Sequence, residues 1–180
     1  MSALTQSIRF IRSPKGMRIA VAETGMGYPI LQPAHWITAI EGELTSLVWS
    51  GWIQHLSKRG HLIRYDGRGC GLSDRDVGGV SLHTHVADLE AVADGLNVER
   101  FALIGLSQGG ATAMTYAARH PERVSHLILV GAYSRGAYTR NPTPQTRDAA
   151  NAMVKLVELG WGQENPAFRQ LMTTQLFPAA

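Results

Sequence analysis

The sequence predicts an α/β protein on a mostly parallel, doubly wound sheet, with an antiparallel hairpin at the N-terminal end and helices at the C-terminal end. Three observations predict this. Between residues 46 and 130, helical and strand-like patterns alternate three times. The segments before residue 35 are short and broken by Pro and Gly. After Val130 the alternation stops.

The elements follow in order. Ser7–Arg12 and Met17–Glu23 flank Ser13-Pro14-Lys15-Gly16, a turn of hairpin type. Arg9, Arg12, Lys15 and Arg18 gather on this hairpin and are expected to face water. Tyr28–Pro33 is a third strand, with Pro33 confined to its end or to an edge because it has no N–H to donate. Val48, Trp49, Trp52, Ile53 and Leu56 recur at helical spacing, between Ser46 as N-cap and Gly60 as stop. Leu62–Tyr65 is a short strand. Val86, Leu89, Ala93 and Leu96 form a second amphipathic helix, from near Ser81 to about Gly95–Asn97. Phe101–Ile104 is an unbroken apolar run, the pattern of a strand buried on both faces.

Residues 108–119, rich in Ala and Gly, suit a helix packed closely on a sheet. That helix ends before Pro121, since the residue preceding a proline is disfavoured in helical geometry. Val124–Val130 is the next strand, and right-handed crossovers make the set parallel. Beyond it, Asn141-Pro142-Thr143-Pro144 reads as a loop, and Ala150, Met153, Val154 and Val157 as a helix. Asn165-Pro166 caps and opens another helix carrying Phe168, Leu171 and Met172. Residues 1–134 are thus expected to form the core and 135–180 a helical lid or cap.

Composition excludes several classes. The 180 residues, 44% hydrophobic and 17% charged, suit one globular domain. No run approaches the roughly 18 apolar residues of a membrane span. Met1–Arg18 has no apolar core after a basic start, so no secretory signal is expected. One cysteine, Cys70, excludes an internal disulfide framework and fits a cytoplasmic location. The net charge of +3 is spread over scattered basic residues without an aromatic-interleaved stripe, so no direct nucleic-acid partner is expected. No His/Cys/Asp cluster has ligand spacing, and neither metal nor cofactor is implied.

The chemistry-bearing motif is Gly105-Leu106-Ser107-Gln108-Gly109, a G-x-S-x-G pattern between a buried strand and a small-residue helix. A serine in such a tight turn projects its Oγ above the sheet edge. Gly105 and Gly109, lacking Cβ atoms, let strand and helix approach. The helix N-terminus favours developing negative charge, and the Gln108 N–H becomes one donor of an oxyanion hole. The alternative is a glycine-rich turn whose serine merely caps the helix. A phosphate-binding turn is disfavoured, because neither G-x-G-x-x-G nor a P-loop lysine is present.

Two further segments flank this motif: Arg64-Tyr65-Asp66-Gly67-Arg68-Gly69-Cys70-Gly71-Leu72-Ser73-Asp74, and His120-Pro121-Glu122-Arg123-Val124 leading into Leu127–Val130. Together, in this order and spacing, they resemble the α/β-hydrolase fold family over residues 7–135. Within that family the chain is most similar to hydrolase-like domains of bacterial regulators. The resemblance implies a serine hydrolase of esterase or acyl-hydrolase type, acting on a small ester or related carbonyl substrate with Ser107 as nucleophile. The alternative is a non-catalytic ligand-binding or sensory domain on the same scaffold. Serine at the elbow argues against dehalogenase or epoxide-hydrolase chemistry, which needs a carboxylate nucleophile. Asp66, Arg68 and Ser73 are read as structural.

The sequence departs from the family pattern in two places. Gln32-Pro33-Ala34-His35-Trp36 falls where the family carries His-Gly. By that alignment Trp36 supplies the second oxyanion N–H and His35 replaces the glycine; His35 either lines the site or is a solvated loop histidine. The triad acid and histidine are expected beyond Ala180. An alternative acid position is filled by Gly131-Ala132-Tyr133-Ser134, and none of the seven histidines matches the family's. The chain is therefore expected to be the N-terminal two-thirds of its domain, without the C-terminal strands. A homo-oligomer or a fused or associated regulatory domain are the partners left open besides the substrate, and an uncovered sheet edge and lid surface are expected to promote association.

Overall fold

The computed structural model describes residues 4–176; residues 1–3 and the last four residues of the expected lid lie outside it. Two compact units are present, Met1–Ser134 and Arg135–Ala180.

The first unit is a six-stranded sheet. Its strands in chain order are β1 (Ser7–Arg12), β2 (Arg18–Thr24), β3 (Pro29–Gln32), β4 (His61–Tyr65), β5 (Phe101–Leu106) and β6 (Val124–Val130). Their spatial order is β1-β2-β4-β3-β5-β6. β1 and β2 form the antiparallel hairpin, with Ser7 opposite Glu23, and β2 pairs antiparallel with β4. β4, β3, β5 and β6 are mutually parallel. The basic hairpin face is solvated, with Arg9 paired to Glu23 and Arg18 to Asp74.

Alternation along the strands sorts side chains onto two faces. Ile19, Val21, Leu31, Ile63, Tyr65 and Phe101 join one core with Val86, Leu89 and Val92 of α3 (Leu82–Gly95) and Ala113 and Tyr116 of α4 (Gly109–Arg119). Ala20 and Ala22 meet Ile40 of α1 (Ile40–Glu43) on the other face. Each fully buried Leu, Ile or Phe contributes about 1.5–3 kcal/mol. α3 opens with a reciprocal capping box between Ser81 and Thr84, which satisfies two N–H groups the helix leaves orphaned.

Some boundaries differ from expectation. α2 (Ser50–Ser57) begins four residues after Ser46. The Ser46 hydroxyl instead accepts from the Val48 and Trp49 N–H groups, 3.2 and 3.4 Å away, capping a turn ahead of the helix. α1 was not legible, because four residues carry no period. β6 presents Leu127, Ile128 and Leu129 at 40–46% exposure, the uncovered apolar edge that was expected.

The second unit is helical: α5 (Ala137–Arg140), α6 (Pro144–Gly160) and α7 (Pro166–Leu176). Thr143 and Thr146 form the capping box of α6, with Pro144 in its first turn where no N–H is needed. The Asn165 side chain accepts from the Phe168 N–H at the start of α7. Trp161 meets the Phe168 ring edge-on, 6.3 Å between centroids.

Candidate active site

The strand order locates the site before any side chain is considered. From β3 the chain crosses to β4 on one side, and from β5 it crosses to β6 on the other. The loops leaving the carboxyl ends of β3 and β5 therefore diverge and leave a crevice, the position where open α/β sheets take ligands. The β5 loop holds Ser107, and the β3 loop holds His35 and Trp36.

Ser107 has φ +50°, in the left-handed region that non-glycine residues rarely adopt. Two backbone bonds hold it there: its N–H donates to Val130 O at 3.0 Å, and its carbonyl accepts from Gly110 N–H at 3.0 Å. The side chain is half-buried. Close packing explains the flanking glycines. A Cβ on Gly105 would lie 2.7 Å from the Gly110 Cα and 2.8 Å from the Ala113 Cβ. One on Gly109 would lie 3.1 Å from the carbonyl oxygens of both Pro33 and Ala34, and one on Gly110 would meet Ala132. Gly110 was not singled out in the sequence, although the Gly109-Gly110 pair was the available signal. Gln108 has helical dihedrals (φ −57°, ψ −36°) at the start of α4, where N–H groups lack intrahelical acceptors.

The backbone of Pro33 and Ala34 thus lies against the N-terminal turn of α4, two residues from Ser107. The next residue, His35, is half-buried: its ring sits 4.7 Å from that of Trp49, and its Nδ1 lies 3.1 Å from the Trp36 carbonyl oxygen. Trp36 is 42% exposed, and Ile37 after it has φ +57°. His35 is therefore packed on an aromatic ring as well as lying in the loop.

The 66–74 loop is self-satisfied. Asp66, fully buried, accepts from the Ile40 N–H at 3.0 Å and the Leu72 N–H at 2.8 Å. Ser73 Oγ donates to Asp66 O and accepts from the Ala20 N–H. Arg68 makes a bidentate bridge to Asp88, 2.8 and 2.7 Å, and reaches the carbonyls of Val77, Gly79 and Thr84. Burial pushes the Asp88 carboxyl above its ordinary value, against the opposing pull of Arg68. Burial likewise raises the Tyr65 phenol, whose oxygen the Ala34 backbone hydrogen-bonds.

Three further histidines have polar partners away from Ser107. His120 Nε2 lies 2.9 Å from Glu90, His61 Nε2 3.0 Å from Glu23, and His126 Nδ1 3.2 Å from the Ser125 hydroxyl. His85 is held below its ordinary value, chiefly by burial. Residues 131–134 after β6 carry no carboxylate. Two clefts, about 990 Å³ beside Glu23, Lys58 and His61 and about 410 Å³ beside Arg68, Asp74 and His83, are not lined by Ser107. The first lies at the amino end of β4, remote from the crevice, and geometry rather than cleft size locates the site. Among the described residues no His/Cys/Asp/Glu group is arranged to hold a metal ion, and no helix is long and apolar enough to cross a membrane.

With a left-handed serine at this junction, the comparison with known families is decisive: the alpha/beta hydrolase fold matches residues 37–178. The chain belongs to the α/β-hydrolase fold family. Among its relatives, the AB hydrolase superfamily protein YisY of Bacillus subtilis (strain 168) is 34% identical over 135 residues, 74% of this chain and 48% of that one. The 2-hydroxymuconate semialdehyde hydrolase of Pseudomonas sp. (strain CF600) is 29% identical over 161 residues, 87% of this chain and 49% of that one. The solved esterase from Exiguobacterium antarcticum superposes with a TM-score of 0.71 at 28% identity, covering 91% of this chain and 59% of that one. This α/β-hydrolase chain thus spans about half the length of the curated relatives it matches. None of these three is named as a regulator, so the sensory alternative gains no support from them.

Proposed function

We propose that this chain is part of a serine hydrolase of esterase or acyl-hydrolase type, acting on a small ester or related carbonyl substrate. One observation carries the reading: Ser107 stands in a left-handed strand-to-helix turn, beside the crevice between β3 and β5. The hydrolase and esterase names of its relatives support it.

In this reading Ser107 Oγ attacks the carbonyl carbon. Its proton passes to a histidine, which with its acid partner comes from chain beyond Ala180. The Gln108 and Trp36 N–H groups receive the oxyanion, assisted by the positive end of α4. The carbonyl re-forms, the bond to the leaving oxygen breaks, and the histidine returns the proton to that oxygen. Water then attacks the acyl-serine by the same route. The reading calls on no metal or cofactor.

The test uses the full-length protein and a fluorophosphonate probe. The expected result is one labelled serine, Ser107, with labelling and p-nitrophenyl ester turnover lost in Ser107→Ala by about 10⁴-fold or more. Labelling elsewhere, or ester turnover that survives Ser107→Ala, refutes it.

A further inference from the structure

We propose that the buried Arg64–Glu43 ion pair, with Gln6, positions the 33–43 loop against the Ser107 elbow, making Arg64 and Glu43 positioning residues for the oxyanion site. The inference rests on the catalytic reading above.

Arg64 lies on the face of β4 opposite Tyr65's and is 2% exposed, while Glu43, the last residue of α1, is 7% exposed. The guanidinium Nη1 bridges the Glu43 carboxylate, and Nη2 donates to Gln6 Oε1 at 2.9 Å. Gln6 Nε2 in turn donates to the Ile40 carbonyl at 2.9 Å. Asp66 takes the Ile40 N–H from the other side. Both backbone groups of Ile40 are therefore held by side chains from distant segments, and Thr38 Oγ1 accepts the Gly67 N–H at 2.8 Å.

A four-residue helix cannot hold its own shape. α1 is fixed by this cage, and the loop before it begins with the two carbonyls that lie against Gly109. A displacement of α1 is passed along a few residues to the backbone beside Ser107.

A stability role alone does not account for the pair. Two buried charges cost desolvation, and a well-packed apolar pair of similar volume often does as well or better. Burial lowers the Arg64 pKa even against the attraction of Glu43, so the desolvation is substantial. What an apolar pair cannot supply is direction: it would fill the space without fixing Glu43 to Arg64 and Arg64 to Gln6.

The experiment compares wild type, the double variant Arg64→Met/Glu43→Leu, and Gln6→Ala in the full-length protein. Melting temperature, ester kinetics, fluorophosphonate labelling rate and hydrogen exchange over residues 33–43 are measured. The double variant is expected to melt at or above the wild-type temperature. Its kcat and labelling rate are expected to fall about tenfold or more, with KM within about twofold, because an oxyanion donor acts in the transition state. Residues 33–43 exchange faster in it. Gln6→Ala, which leaves the charge pair in place, is expected to speed exchange at Ile40 and slow labelling about threefold. Wild-type labelling and exchange in a stable double variant overturn the proposal, as do unchanged values in Gln6→Ala should the double variant fail to fold. If wild type is not labelled at Ser107, the catalytic reading fails, and the exchange measurements alone then decide whether the pair holds the loop.

Discussion

The two loops that frame the crevice are built by opposite means. The β5–α4 elbow is held by backbone sterics: a left-handed Ser107, two backbone hydrogen bonds, and glycines at 105, 109 and 110 where any Cβ meets a neighbour at 3.1 Å or less. The β3–α1 loop is held by side chains reaching from elsewhere, namely Asp66, Arg64, Gln6 and the hydroxyl of Tyr65. The lesson is that a turn set by its own backbone and glycines uses the rest of the fold mainly as close-packed walls and one backbone acceptor, Val130 O. A loop specified by distant partners depends on all of them.

The comparison breaks most visibly at Gly105. Gly105→Val is expected to cost about 3 kcal/mol, since backbone at Gly110 and the Ala113 methyl cannot move aside cheaply. Urea unfolding measures this, and an unchanged midpoint would show that the elbow has slack. Asp66→Asn is the corresponding change in the other loop. It keeps one acceptor oxygen but turns an amide N–H toward a backbone N–H, with an expected cost of about 2 kcal/mol. Its mark is faster hydrogen exchange at Ile40 and Leu72, with Gly110 unaffected. Equal loosening of both loops would dissolve the distinction.

The smallest expected effect is on pH. His85 lies within electrostatic reach of Asp88 and Arg68, the bridge that anchors the 66–79 segment, and is kept neutral chiefly by burial, with Arg68 adding and Asp88 opposing. Its folded pKa is below the ordinary 6.5. The stability tied to the neutral ring is therefore complete above pH 6.5 and is lost as pH falls through the folded value. Melting temperature is expected to decline over that range and to decline less in His85→Gln, with exchange in 66–79 rising before exchange at the elbow. An acid response unaltered by His85→Gln would assign the titration to another group.

The same division explains what could be read from the chain. β5, α4 and β6 were legible almost to the residue, because an apolar run, a small-residue run and Pro121 are local signals. α1 was not, and neither was the burial of Arg64: a four-residue helix has no period, and a lone arginine in His-Leu-Ile-Arg-Tyr does not announce its partner 21 residues away. Ser46 caps the turn ahead of α2 and not the helix itself, a distinction the sequence does not carry because serine caps short turns and helices alike.

By itself, then, the sequence determined the α/β class, the hairpin, the parallel crossovers and the strained turn at Ser107, since each is signalled by element patterns and motifs made of residues close together in the chain. Only the tertiary structure decided the strand order that opens a crevice between β3 and β5, the seating of Pro33 and Ala34 against Gly109, and the cage around Ile40. Those depend on contacts between segments tens of residues apart, and their geometry exists only once the sheet has brought them together.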